Sequence, residues 1–250
     1  MDFGYRVKER KNRLSVKFKK KPVVWERRAS KLVKDGVLLD IGKTRKLIRT
    51  RGNFVVYKVF NVWKFVDDVK NIAEKIGASS NITLLKHGIF SPGNQGELFS
   101  TYGHAHRKYY GEFYTILKNQ CLIVLTDRKS NETFIVNLRE GDSIVIHPKF
   151  LHRMVSYKKD VLMFDTSPKE AGHNYKIIKN KGFPVHVFYH AKEGIIVFTK
   201  NPKYRKVKFK FVKKFKTKID PIKLFEKNPR KLKDILENPK KNRKFYFMGK

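Results

Sequence analysis

The stretch that decides the fold and the chemistry is TYGHAHRKYYGEFYTIL, residues 101–117. His104 and His106 stand one residue apart within it, and Glu112 follows six positions after the second histidine. Because side chains at positions i and i+2 of a β-strand point to the same face, the two imidazoles are predicted to project together. A histidine pair alone is weak evidence for a metal site, so other parts of the chain must supply further ligands.

The surrounding sequence predicts a scaffold made mainly of β-strands. From residue 81 to about residue 199, short apolar segments alternate with turn sequences such as SPGNQG, DRKSN and REGD. Many short strands at intervals of roughly 8–12 residues are typical of an all-β sandwich or barrel. One helix is predicted before them in VDDVKNIAEKIG, residues 66–77, where acidic residues open an apolar 3.6-residue pattern and glycine closes it.

A third imidazole completes a possible set of metal ligands. His152 follows the predicted strand SIVIHP, and it could join His104, His106 and Glu112 inside a barrel. Three imidazoles and one carboxylate suit Fe, Mn, Ni or Zn, and they leave coordination positions open for substrate oxygens.

The chain is strongly basic, and its two ends are more basic than its middle. The net charge is +36, with 17 Lys and Arg against 5 acids in residues 1–50 and 19 against 4 in residues 201–250. Such a field attracts nucleic acid, acidic membrane surfaces or phosphorylated metabolites. A general preference for lysine, as in heat-adapted organisms, is an equal alternative.

These differences divide the chain into three predicted parts. Residues 1–52 form a basic N-terminal extension with short strands, including one in GVLLDIG, residues 36–42. Residues 53–200 form the β-domain, and residues 201–250 form a basic C-terminal extension. In the last part we predict a strand in KVKFKFVKKFK and two short helices that could dock through Leu224, Phe225, Leu232, Ile235 and Leu236. The alternative is a weakly ordered basic tail.

Location and partners are constrained by what the sequence lacks. It has no apolar run near the ~20 residues of a membrane helix and no apolar secretory leader, and Cys121 is its single cysteine. We therefore expect a cytoplasmic protein with no internal disulfide and no membrane partner.

The linked motifs resemble the cupin superfamily. His104, His106 and Glu112 match its first motif, although the gap before Glu112 is five residues and Asn119 replaces the closing glycine. Gly141 and His152 match the second motif, in which the proline has moved to Pro148 and Lys149 replaces a glycine. The segments TYGHAH, EFYTILK, GDSIVIHPKFLHRMV and SPKEAGHNY are similar, within residues 53–200, to the cupin-type phosphoglucose isomerases of archaea.

This resemblance implies the fold, the activity and the cofactor. The fold is a mainly β cupin double-stranded β-helix, or jelly-roll barrel, with one helix before it and short C-terminal helices after it. The activity is interconversion of glucose 6-phosphate and fructose 6-phosphate. The cofactor is one divalent metal ion, Fe(2+) first and Mn, Ni or Zn otherwise, and the partner is a second copy in a homodimer.

The resemblance also implies roles for individual residues. The metal ligands are His104, His106, Glu112 and His152, and the catalytic residues are Glu112, His173 and Tyr114. Tyr57, Thr101 and Gly103 hold the substrate phosphate, and Tyr175 lies near the reacting end of the sugar. Two departures bear on the substrate: Gly88 stands where the family has a threonine, and Ser167 where it has a tyrosine.

Two other functions stay open at this point. One is a nucleic-acid-binding protein that uses its basic extensions on an inactive cupin barrel, with the Lys/Phe alternation of residues 206–216 as the contact surface. The other is an isomerase or epimerase that acts on a different sugar phosphate.

Overall fold

The computed structural model describes residues 1–213, 215 and 217–249. Its strands are β1 (Tyr5–Arg10), β2 (Arg13–Phe18), β3 (Val24–Arg28), β4 (Val55–Phe60), β5 (Ala78–Leu85), β6 (Gln95–Glu97), β7 (Ala105–His106), β8 (Glu112–Lys118), β9 (Gln120–Asp127), β10 (Glu132–Arg139), β11 (Ser143–Ile146), β12 (Phe150–Ser156), β13 (Val161–Pro168), β14 (His173–Asn174), β15 (Val185–His190), β16 (Ile195–Lys200) and β17 (Lys208–Val212). Its α-helices are α1 (Ala29–Lys34), α2 (Ile41–Arg51), α3 (Asp67–Lys75), α4 (Pro221–Lys227) and α5 (Pro229–Glu237).

Two large sheets form the body of the β-domain. One has the strand order β11-β8-β13-β5-β4-β3, and the other has the order β12-β9-β10-β17. Apolar side chains from both sheets share one core, with Leu85 and Ile116 from the first and Ile123 and Met154 from the second. This arrangement confirms the predicted mainly β, jelly-roll fold, in which alternate residues of each strand face the interior.

The helix predicted before the barrel is confirmed as α3, and Gly77 follows it with a φ of 64°. Two further helices, α1 and α2, precede it. The strand predicted in residues 36–42 is wrong, since no strand is assigned there and Ile41 begins α2. The reason is local: the Asp40 side chain accepts a hydrogen bond from the Lys43 backbone N–H at 2.9 Å, which caps a helix.

The N-terminal residues are joined to the β-domain by main-chain and charged contacts. Strand β3 pairs with β4 across the predicted boundary at residue 53. The hairpin of β1 and β2 is held by Asp160, whose buried carboxylate accepts from the Leu14 N–H and the Lys86 ammonium, both at 2.9 Å. The division of the chain at residues 52 and 200 stays a prediction. Through these contacts, residues 1–52 pack continuously against the β-domain.

The C-terminal residues also pack on the sheets. Strand β17 extends the second sheet by pairing with β10 in parallel, while Lys214 and Lys216 of the predicted strand lie outside the described residues. Helices α4 and α5 are confirmed, and Asp220 caps α4 by accepting from the Lys223 N–H at 2.9 Å. Four of the five predicted docking residues are fully buried, namely Phe225, Leu232, Ile235 and Leu236, and Leu224 is partly buried. Among the described residues, no helix is long and apolar enough to span a membrane.

Candidate active site

A cavity of about 220 Å³ opens into the jelly roll between β4, β5, β8, β12 and β13. Residues from distant parts of the chain reach it because each strand turns alternate side chains inward. It brings together nine of the residues singled out from the sequence: Tyr57, Thr101, Gly103, His104, Glu112, Tyr114, His152, His173 and Tyr175. The tenth, His106, is buried next to His104, with ring centroids 5.4 Å apart, and its Nε2 lies 3.4 Å from the Glu112 carboxylate.

The four predicted metal ligands converge on one point. One ligand atom from each of His104, His106, Glu112 and His152 lies within 4.8 Å of the others. The Glu112 Oε2 atom is 2.8 Å from His152 Nε2, 3.4 Å from His106 Nε2 and 3.6 Å from His104 Nε2. The main chain holds two of these ligands side by side, because His104 and His152 exchange two backbone N–H···O bonds of 3.0 Å.

The donor set fits a divalent metal ion. The Nε2 atoms of His104 and His106 are buried without a hydrogen-bond partner, a costly state that a metal ion would relieve. His106 Nδ1–H donates a hydrogen bond to the backbone oxygen of Tyr110 at 2.6 Å, so in the neutral imidazole the free lone pair is on Nε2. Neutral imidazoles arranged around a carboxylate are the ligands expected for a transition-metal ion.

The electrostatics of the cluster keep Glu112 ionised. Burial alone would raise the pKa of Glu112, but its contacts with the imidazoles of His104, His106 and His152 outweigh burial and hold that pKa well below its usual range. Burial also lowers the pKa of His104 well below its usual value, so its imidazole is neutral. Burial would lower the pKa of His106, but its contact with Glu112 outweighs burial and raises that pKa. An anionic carboxylate surrounded by imidazole nitrogens is a donor set that a dication binds once the imidazoles are neutral.

The three predicted phosphate residues lie along one wall of the cavity. The Tyr57 hydroxyl accepts from the backbone N–H of Tyr102 at 3.3 Å, and burial raises the pKa of Tyr57 so that it stays protonated. Gly103 has a φ of +77°, and a Cβ there would lie 2.6 Å from the Phe183 ring. Only glycine therefore fits that close turn beside the metal ligands.

The predicted residues of the reacting end surround the cluster. The His173 ring centroid is 4.0 Å from that of His104, and His173 Nδ1 lies 3.0 Å from the Tyr175 hydroxyl. Tyr114 is buried on β8, and both burial and the charge of Glu112 raise its pKa well above the usual value. These positions agree with the predicted site, while the roles of the individual residues stay predictions.

The two departures from the family pattern have different consequences. Gly88 lines a separate cavity, together with Tyr157 and Tyr189, so its missing hydroxyl takes nothing from the active-site cavity. Thr83, on β5, provides a threonine hydroxyl in that cavity instead. Ser167 is buried on β13, where its carbonyl accepts from the Ser79 hydroxyl at 3.4 Å.

Sequence reasoning missed several other residues of the site. Asn81 and Asp165 line the cavity from β5 and β13, and Trp25 lines it from the N-terminal strand β3. Arg27, also on β3, donates from Nε to the Tyr57 hydroxyl at 3.3 Å and places a cation beside that hydroxyl. The alternation of Ser79, Asn81 and Thr83 along β5 was the available indication, since all three share one face.

Asp165 is a second buried carboxyl group in the cavity. It is 6% exposed, and its Oδ1 accepts from Asn81 Nδ2 at 2.9 Å. Burial, followed by repulsion from Glu112, raises the pKa of Asp165 well above its usual value, although the bond from Asn81 works against this. The cavity therefore holds two carboxyl groups whose environments push their pKa values apart, a pattern found where acid and base roles differ.

Comparisons with known proteins agree with this geometry. The family model for glucose-6-phosphate isomerase (GPI) matches residues 26–205. Glucose-6-phosphate isomerase of Thermococcus litoralis is 29% identical over 173 residues, which cover 68% of this chain and 83% of that protein. The Pyrococcus furiosus glucose-6-phosphate isomerase is 28% identical over 175 residues, covering 69% and 84%. A solved oxalate oxidase aligns with only 40% of this chain and 46% of its own, at 17% identity and a TM-score of 0.33. Because the family model matches well over half of its length, the chain belongs to the glucose-6-phosphate isomerase family.

Proposed function

We propose that this protein interconverts glucose 6-phosphate and fructose 6-phosphate with the help of one divalent metal ion. One observation carries the proposal: the four clustered ligand atoms lie at a cavity that Tyr57 and Thr101 also line. A metal cluster and a set of hydroxyl donors in one cavity match a substrate with a reacting end and a phosphate end. Membership of the isomerase family supports the same assignment.

The reaction moves hydrogen between neighbouring carbons of the open-chain sugar. The aldose loses hydrogen from C2 and gains one on C1, while the proton of the C2 hydroxyl is transferred to the oxygen on C1. Glu112 is the proton carrier that we propose between C2 and C1. Its Oε2 faces the three imidazoles, and Oε1 is left for this transfer. A positioned carboxylate contributes typically ~10²–10⁴-fold as a general acid–base catalyst.

His104, His106, Glu112 and His152 would hold the metal ion, for which we propose Fe(2+), with Mn, Ni or Zn as alternatives. When bound, such an ion polarises neighbouring oxygens of the sugar and stabilises negative charge that develops on them. His106 is kept in the correct tautomer by the Tyr110 carbonyl. His106, Glu112 and His152 are themselves buried, so the ligand cluster lies at the closed end of the cavity.

The other wall holds the phosphate. Tyr57, Thr83 and Thr101 offer hydroxyl groups, and the Gly103 turn brings backbone N–H groups close to the ligand. Arg27 adds a positive charge behind the Tyr57 hydroxyl. Hydrogen bonds to a charged phosphate are about twice as strong as neutral ones, so this wall fixes which end of the sugar reaches Glu112.

The remaining predicted residues orient the reacting end. His173 and Tyr175 are joined by a 3.0 Å contact at the cavity, beside His104. We propose that His173 exchanges protons with the sugar oxygens, and that the hydroxyl groups of Tyr114 and Tyr175 hold those oxygens in place. Burial keeps both phenols protonated by raising their pKa, that of Tyr175 to about 12.

Other expectations from the sequence stay proposals. A homodimer is carried over from the family resemblance, and a cytoplasmic location is carried over from the single cysteine and the lack of a membrane segment in the sequence. The rival function, a nucleic-acid binder on an inactive barrel, is not favoured, because the chain belongs to an isomerase family and keeps its complete ligand cluster. Nucleic-acid binding through the basic ends stays an additional, untested possibility of a chain with a net charge of +36.

The direct test combines metal analysis with an isomerase assay on the full chain. Purified protein should contain close to one transition-metal ion per chain and should convert glucose 6-phosphate to fructose 6-phosphate. Chelation should abolish the activity, and adding back Fe(2+), Mn(2+), Ni(2+) or Zn(2+) one at a time should rank the metals. A protein that binds metal but converts neither sugar phosphate in any loaded form would contradict the proposed function.

A further inference from the structure

Asn81 and Asp165 form a pair on the cavity wall whose bonding capacity is incomplete. They face each other across β5 and β13, and Asp165 is also opposite Tyr114 on β8. Both line the cavity. One hydrogen bond of 2.9 Å joins Asn81 Nδ2 to Asp165 Oδ1, and among the described residues no other side chain bonds to this carboxyl group.

The neighbouring pair on the same strands shows the contrast. Ser80 and Thr166 face away from the cavity, and their hydroxyl groups satisfy each other at 2.8 Å. Burial of a polar group is costly unless its hydrogen bonds are made, so such matched pairs are expected in a core. Asp165 keeps a second oxygen, Oδ2, and Asn81 keeps a second amide N–H. Both residues line the cavity, so these free positions lie at its wall.

The two free atoms suit a single hydroxyl group. A sugar hydroxyl can donate to the carboxyl oxygen and accept from the amide N–H at the same time. The carboxyl group offers an acceptor in either protonation state. Apolar residues at positions 81 and 165 would close the wall at lower cost, so the pair is better explained by a ligand than by packing.

The position of the pair in the cavity indicates that it would contact the middle of a bound sugar phosphate. Asn81 lies two residues from Thr83 on one face of β5, roughly 6.6 Å along the strand, at about 3.3 Å per residue. On the other side, Asp165 is level with Tyr114, two residues beyond Glu112 on β8. The pair therefore sits between the phosphate wall and the metal ligands.

We infer that Asn81 and Asp165 bind a hydroxyl group on the middle carbons of the sugar chain, and so determine which sugar phosphates are accepted. The inference rests on the proposed isomerase function, which it refines. It concerns C3, C4 and C5, because C1 and C2 react and C6 carries the phosphate.

The test crosses enzyme variants with substrates that lack one hydroxyl. Wild type, Asp165→Ala and Asn81→Ala are assayed with glucose 6-phosphate and its 3-deoxy, 4-deoxy and 5-deoxy analogues. Each substitution should lower kcat/KM for glucose 6-phosphate about 10- to 100-fold, as expected for a lost hydrogen bond to a polar substrate group. For one deoxy analogue, the wild type should already show that loss, and the variants should add little to it.

Thr166→Val is the matched control, because Thr166 is adjacent on β13 but faces away from the cavity. It should lower the melting temperature and leave the ranking of the four substrates unchanged. Metal content and melting curves establish that the Asp165 and Asn81 variants are folded, and Asp165→Leu provides a near-isosteric alternative without an acceptor if Asp165→Ala is not folded.

The outcomes separate the two levels of the hypothesis. The inference would be overturned, with the isomerase function intact, if the substitutions lowered kcat/KM by the same factor on glucose 6-phosphate and on all three deoxy analogues. Full activity of both alanine variants on every substrate would overturn it as well. A metal-loaded wild type with no isomerase activity would instead defeat the proposed function on which it rests.

Discussion

Replacement of Glu112 by glutamine tests the centre of the proposed mechanism. The substitution keeps the shape of the side chain and changes its charge and proton affinity. In the structure, the Glu112 Oε2 atom lies between 2.8 and 3.6 Å from three imidazole nitrogens. The substitution therefore removes an anionic metal ligand and the proposed proton carrier at the same time. We expect Glu112→Gln to bind metal more weakly and to lose nearly all turnover.

The size of the loss can be divided into two parts. Loss of general acid–base help alone lowers turnover typically ~10²–10⁴-fold. Loss of the anionic ligand adds a second effect through metal occupancy, which excess metal in the assay can remove. At saturating metal, kcat should therefore still be about 10²–10⁴-fold below that of the wild type.

Glu97→Gln is the matched control for this experiment. Glu97 is also fully buried and also paired with a histidine, since its Oε1 lies 2.5 Å from His186 Nδ1, but it belongs to a network outside the cavity. Its replacement should reduce stability without reducing metal content or kcat per folded molecule. Comparable losses of kcat in both variants would show that a buried charge, rather than Glu112 chemistry, was being measured. Unaltered turnover in Glu112→Gln would refute the proposed proton carrier.

Two further predictions address the phosphate wall and the stability of the chain. Tyr57→Phe removes one hydroxyl from the phosphate wall, so KM for fructose 6-phosphate should rise about 10-fold with a smaller change in kcat, measured by steady-state kinetics. Asp160→Asn should lower the free energy of unfolding at pH 7 by about 3–5 kcal/mol, measured in urea, because it leaves Lys86 without its buried partner. Burial alone would raise the pKa of Asp160, but hydrogen bonds from His87, Leu14 and Lys86 lower it far below the unfolded value. The stabilisation is therefore present above about pH 4 and lost as the pH falls, so the two proteins should converge in acid; a constant difference would contradict this assignment.

The local part of the site could be predicted because its ligands are close in sequence. The spacing of His104 and His106 on a strand, with Glu112 at the start of the next strand, fixes their common face before any tertiary contact is known. His152 required the second motif, since it meets His104 across the two sheets. Asn119, which replaces the closing glycine of the first motif, has a φ of 67°, a left-handed conformation that asparagine tolerates better than most residues.

The opposite wall could not be predicted because it depends on strand register. Asn81 and Asp165 are 84 residues apart, and only the pairing of β5 with β13 makes them neighbours. If either strand slipped by one residue in that register, its own side chain would turn away from the cavity and the pair would be lost. Thr83 was missed for the same reason. The sequence analysis set Gly88 at the position of the family's threonine, because spacing along the chain does not show which residues point into the cavity.

The basic ends show why charge alone is a poor guide to function. Strand β17 alternates lysine with phenylalanine, which suggested a surface for nucleic acid. In the structure β17 is the edge of its sheet; Phe209 packs partly against the core, while the lysines and Phe211, 49% exposed, face solvent. Lysine is a common protection for an exposed edge strand, because its charge prevents pairing with another chain. The alternation is therefore accounted for by the position of the strand, and a nucleic-acid partner would need evidence beyond the charge pattern.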